Sequence, residues 1–131
     1  MTEPFQVQLT SGQVTPGDDL AIPVPSGQLV TLHETIWNVV GPEGLVTRFR
    51  FIAPAINRDA GTVDFEAASI DLMYLCQEYA LQKLSQSGPV PAQVIVSLAD
   101  RPLPFGEAAP EATQYFEAFR IENGACIWEV F

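Results

Sequence analysis

The chain has 131 residues, 47% of them hydrophobic, and sets 16 acidic side chains against 6 basic ones for a formal net charge of −10. That length holds one domain with a sizeable core, burying roughly two-thirds of the surface that the unfolded chain exposes. The charge balance argues against nucleic-acid phosphates and anionic membrane surfaces as partners, and no apolar run approaches the ~20 residues that span a bilayer.

Residues 1–27 read as an extended N-terminal segment. FQVQL alternates like a short strand, whereas TPGDDLAIPVPSG is interrupted by three prolines and two glycines. The opening MTEPFQVQLTSG has neither the basic nor the apolar segment of an export signal, so no signal peptide is expected in the chain as written. Residues 28–131 are expected to form a single α+β domain.

QLVTLHETIWNVVGPEGLVTRFRFI reads as a hairpin turning at Gly41-Pro42-Glu43-Gly44, with β-branched and aromatic residues in both arms. With Val40 opposite Leu45, Ile36 faces Phe49, Glu34 faces Phe51 and Trp37 faces Arg48. Period-two alternation then places Leu32, Ile36, Val40, Leu45, Phe49 and Phe51 on one side, and His33, Thr35, Trp37, Arg48 and Arg50 on the other.

TVDFEAASIDLMYLCQEYALQKLSQSGP carries a long helix. Asp64 is its expected N-cap and Gly88-Pro89 its stop, and Phe65, Ala68, Leu72, Leu75, Cys76, Tyr79 and Leu84 form an apolar stripe at helical spacing. Asp18, Asp19, Asp59, Asp64 and Asp71 match no calcium loop and read as caps or solvated positions. AQVIVSLAD is a short apolar strand and RPLPFGEAAPE a proline-rich connection. A last hairpin turns at Asn123-Gly124, pairing Ile121 with Cys126, Phe119 with Trp128 and Glu117 with Val130.

The helix and the last strand each direct one cysteine toward the other. A Cys76–Cys126 disulfide is the first reading, two buried thiols the second, and reactive chemistry the third, since neither cysteine has a basic neighbour in sequence. A bond implies a periplasmic or secreted protein; free thiols and the lack of a signal peptide imply a cytoplasmic one.

Neither a metal site nor a cofactor is expected. His33 is the only histidine, and GxSxG, P-loop and GxGxxG sequences do not occur. Two groupings remain. Glu34 and Glu117 are expected on apolar faces, where paired carboxylates suit general acid and base work. His33, Trp37, Arg48 and Arg50 form a positive island suited to a small anionic ligand or to an acidic segment of a partner protein.

VPSGQLVTLHE, GLVTRFRFIAP, GTVDFEAASIDLMYLC and NGACIWEVF together resemble a family of short uncharacterised alphaproteobacterial proteins, over about residues 24–131. The resemblance implies export, since many members carry a leader, and it matches both cysteine positions. Some members bear an acetolactate synthase label. This chain is far too short for that enzyme and lacks its Gly-Asp-Gly thiamine diphosphate motif, so no catalytic residue carries over.

The sequence thus predicts an α+β domain with a mostly antiparallel sheet of about five strands and one long helix packed on one face. It predicts a non-catalytic binding or accessory module of the cell envelope, acting through His33, Trp37, Arg48 and Arg50 or the 101–110 loop. The alternative is a small hydrolase or isomerase built on a buried Glu34 or Glu117, with His33 as a further candidate group.

Overall fold

A computed structural model of the chain describes residues 12–86 and 89–129. Among these residues six strands form one sheet in chain order: β1 (Gln13–Pro16), β2 (Thr31–Gly41), β3 (Gly44–Ile52), β4 (Gln93–Ala99), β5 (Gln114–Glu122) and β6 (Ala125–Trp128). All neighbours are antiparallel except β3 and β4, which run parallel. That parallel pair needs a crossover, and the helix supplies it. It runs as α1 (Phe65–Tyr74), a wider π-helical stretch Leu75–Ala80, and α2 (Leu81–Leu84). Among the described residues, no helix is long and apolar enough to cross a membrane.

The α+β class and the single helix match the expectation, and β1 is the additional strand. It has four residues and ends on a proline, so its pattern is too short to read. Pairing defines it, with Val14 opposite Ile36 and Thr15 opposite Thr35. The strand expected at FQVQL, the helix stop at Gly88 and the Glu117–Val130 pairing lie outside the described residues.

Asp64 caps α1 by accepting a hydrogen bond from the Ala67 amide at 3.0 Å. Ala68, Leu72, Leu75, Cys76 and Leu84 are buried against the sheet. Phe65 stays half-exposed, edge-on to Tyr115 with ring centroids 5.1 Å apart. Asp71 corrects its assignment as a cap or solvated acid: it is 0% exposed. Its carboxylate accepts from the Ser26 amide at 2.9 Å, the Ser26 hydroxyl at 2.5 Å and Gln28 Nε2 at 2.7 Å.

The first hairpin keeps Val40 opposite Leu45 near its turn, but β2 then carries two extra residues. At the first bulge Trp37 and Asn38 together oppose Thr47, with Asn38 at φ 51°. Asparagine tolerates that left-handed conformation, and its side chain accepts a bond from the buried Thr47 hydroxyl at 3.2 Å. At the second, His33 is unpaired between Leu32–Phe51 and Glu34–Arg50. Each extra residue shifts the register by one, which corrects the expected pairs: Ile36 faces Arg48, Thr35 faces Phe49, and Glu34 faces Arg50. Trp37 consequently lies on the helix side and is buried, edge-on to Phe49 at 5.8 Å, with Nε1 donating to Thr15 Oγ1 at 2.9 Å.

The second hairpin keeps its expected register, Ile121 with Cys126 and Phe119 with Trp128. Asn123 and Gly124 take φ values of 51° and 75°, as a two-residue turn between twisted strands requires. The Sγ atoms of Cys76 and Cys126 are bonded, with their Cα atoms 6.3 Å apart. Beside this staple, Gln77 Oε1 accepts from the Cys126 amide at 3.0 Å and Nε2 donates to the Gly124 carbonyl at 3.4 Å. Gln77 thereby occupies backbone groups on an edge strand that otherwise offer themselves for pairing.

Candidate functional site

On the sheet face opposite the helix, the connection between β4 and β5 folds back over the strands. Its base is tied to the segment after β3. Asn57 Nδ2 donates to Asp100 at 2.7 Å, the Arg58 amide donates to Thr113 Oγ1 at 3.0 Å, and the Arg58 guanidinium donates to the carbonyls of Ala112 and Pro110 at 2.9 and 2.5 Å. Arg101 Nε donates to Asp100 Oδ1 at 3.0 Å, and the Asp100 amide to the Thr113 carbonyl at 3.0 Å.

Burial pushes the Asp100 carboxyl up, but the bonds from Arg101, Asn57 and Thr113 outweigh it and hold the acid below its ordinary value. The folded state therefore prefers the ionised form. This stabilisation is complete well above the unfolded value of about 3.9 and is lost as pH falls through the lower folded value. Amide protection factors across 100–113, taken relative to the unfolded-chain exchange rate at each pH, are expected to fall on acidification below about pH 4, and the Asp100→Asn variant should lose that dependence.

At the tip, the Glu107 amide donates to the Pro104 carbonyl at 3.3 Å, closing a turn in which Gly106 has φ 83°. A positive φ at this place suits glycine, and the turn carries Phe105 inward over the sheet. The Arg48 and Arg50 guanidiniums lie 5.1 and 5.4 Å from the Phe105 ring centre. Four of the chain's six basic residues, Arg48, Arg50, Arg58 and Arg101, thus contact or brace this connection.

The two arginines at the tip differ in what they already hold. Arg50 is buried, pairs with Glu34 and donates to the Leu103 carbonyl at 2.8 Å. Arg48 is half-buried and, among the described residues, its side chain makes no ion pair or hydrogen bond. Burial, and then the neighbouring Arg50 charge, hold its guanidinium below its ordinary pKa. Between loop and sheet lies a cleft of about 240 Å³, whose lining includes Arg48, Ile95, Ser97, Phe105, Gln114 and Phe116.

His33 and Glu34 lie beyond the loop's ridge, bordering a shallow depression with Pro102–Phe105. Arg48 and Arg50 line the cleft itself, while Trp37 is in the core on the opposite side of the sheet. Glu117 also faces the helix side, opposite Val96 on β4. The bulge at Trp37-Asn38 moves Glu34 to the open face, so the two glutamates expected on apolar faces stand on opposite sides of the sheet, on β2 and β5.

Of the lining residues, Phe116, Ser97 and Gln114 are not among the sequence candidates, whereas Phe105 falls within the 101–110 loop, which is. Phe116 alternates in register against Tyr115 and Glu117, which already points it outward, and it is 69% exposed. Ser97 follows by the same alternation from Val96. Phe105 and Gln114 depend on the loop's return path, for which local sequence offers no signal.

A larger cleft of about 380 Å³ lies beside the first turn, lined by residues including Glu43, Gln93, Arg120 and Glu129. Its cation is already committed, since Arg120 Nε donates to Glu122 at 2.7 Å, and Gln93 binds Glu129 at 2.5 Å. The smaller cleft therefore has the stronger chemical case, because among the described residues Arg48 has no carboxylate partner whereas Arg120 has one.

Sheet, crossover helix and cleft together define a small α+β domain whose open face carries an arginine-lined groove under a return loop. The chain belongs to the family of unknown function DUF6497, whose model matches residues 6–131. No curated protein and no solved structure matches the chain.

Proposed function

We propose that this protein is a non-catalytic binding module of the cell envelope that takes a small anionic ligand in the cleft between the sheet and the 101–110 loop. The observation that carries this reading is Arg48: a partly desolvated guanidinium, beside a second one, with no carboxylate of its own among the described residues. Holding it there disfavours the folded state, and an incoming anion relieves that cost. The Cys76–Cys126 bond is compatible with an oxidising compartment and supports the envelope assignment. The hydrolase or isomerase alternative loses support as a Glu34–Glu117 pair, because the two side chains face opposite sides of the sheet and Glu34 is held by Arg50.

The test is the Arg48 Nε–H resonance of labelled protein, titrated separately with acetate, inorganic phosphate and phenylacetate. A saturable shift of this resonance and of the Ser97, Gln114 and Phe116 amides is expected in the wild type with at least one anion, and the amide shifts should be lost in Arg48→Gln. No saturable shift with any of the three anions overturns the reading. The compartment is tested separately by alkylating protein from its native host in denaturant, without and with prior reduction; labelling before reduction would count against the envelope.

A further inference from the structure

The groups around Arg48 narrow the ligand class, on the assumption that the cleft is an anion site at all. The first restriction is charge. Arg50 is neutralised by Glu34, and the lining includes a second carboxylate, the exposed Glu107. One guanidinium is thus available against one nearby acid, an environment that accepts a single negative charge and repels a second. A dianionic phosphate is poorly matched, whereas a carboxylate suits the planar fork of one arginine.

The second restriction is the body of the ligand. Phe105 and Phe116 border the cleft while remaining 53% and 69% exposed, and Ile95 and Leu103 add aliphatic surface. Rings left open to solvent in a groove are ready to be covered by a flat apolar group, and aromatic pairs gain stability beyond simple area burial. The third restriction is size: about 240 Å³ falls below the roughly 300–1,000 Å³ of pockets that take drug-sized molecules. Ser97 and Gln114 supply the remaining side-chain polar groups, a hydroxyl and an amide, which can orient a carboxylate's second oxygen or one further polar substituent.

We infer that the cleft binds a small aromatic monocarboxylate, its carboxylate on Arg48 and its ring against Phe105 and Phe116.

Phenylacetate, acetate and inorganic phosphate serve as probes, with amide and arginine Nε–H shifts recorded at Arg48, Ser97, Gln114 and Phe116. Phenylacetate is expected to bind at least roughly tenfold more tightly than either other anion, the difference that about 1.4 kcal/mol produces. Phe116→Ala, an exposed position whose loss leaves the core intact, should bring phenylacetate down toward acetate while sparing acetate itself. If acetate matches phenylacetate, or phosphate exceeds it, the ligand class is wrong and the anion site stands. If phenylacetate binds selectively but Phe116→Ala and Arg48→Gln leave it unchanged, the placement is wrong. If none of the three moves these resonances, the anion site itself fails.

Discussion

Deleting the helix-to-sheet bond with Cys76→Ala and Cys126→Ala together is expected to lower the unfolding free energy by about 4 kcal/mol, the loop-entropy value for a closure of this size. The bond spans a sequence separation of 50 and joins the π-helical stretch to the edge strand β6. Without it, β6 is held by its pairing to β5 and by the two Gln77 bonds. The measurement is urea unfolding of wild type, reduced wild type and the double variant. Both perturbed forms should shift to lower midpoint by a similar amount. A steeper denaturant slope is also expected, because an uncrosslinked unfolded chain exposes more surface. A shift below about 1 kcal/mol in either form would show that the unfolded chain is not confined by the bond. Gln77→Ala adds a separate check: if Gln77 protects the β6 edge, its loss should promote self-association most strongly in the reduced protein.

How far the fold could be read in advance depended on where one residue changes the count. The second hairpin was legible because Asn123-Gly124 fixes both the turn and the register, and β5 and β6 carry no bulge across their paired residues. The first hairpin was legible only at its turn. The bulge at Trp37-Asn38 and the unpaired His33 each exchange the two faces of β2 beyond them, and neither has an unambiguous local signature. That difference explains the candidate site's mixed outcome. Arg48 and Arg50 sit on β3, which has no extra residue, and they share the open face as alternation required. Trp37 and Glu34 sit on β2, and both exchanged sides. The loop contacts with Phe105 join positions more than fifty residues apart in the chain, beyond the reach of any local pattern.

Asp71 is the case where the pattern was present but chemistry seemed to oppose it. It lies three residues after Ala68 and four before Leu75, so helical periodicity already assigned it to the buried stripe. A charged group there is stable only with a full set of donors, and these come from Ser26 and Gln28, more than forty residues away. The carboxylate thereby ties the stretch between β1 and β2 to the helix. That stretch contributes Val24 and Val30 to the core on either side of the Ser26–Gln28 turn. Asp71→Ala leaves three donors without their acceptor and frees this segment, for an expected loss of about 3 kcal/mol in urea unfolding. Asp71→Asn should be milder, about 1 kcal/mol, for a reason specific to this site. Among the described residues Gln28 Oε1 is buried without a hydrogen-bond partner, so turning the Gln28 amide over would present that oxygen to the new Nδ2 donor. The Ser26 hydroxyl can rotate to suit, and the Ser26 amide retains an acceptor. A double-mutant cycle separates the terms: removing the Gln28 side chain in the Asp71→Asn background should erase the compensation and bring the total loss close to that of Asp71→Ala. Equal losses for Asp71→Asn and Asp71→Ala in the wild-type background would instead show that charge, rather than the count of acceptors, holds the turn to the helix.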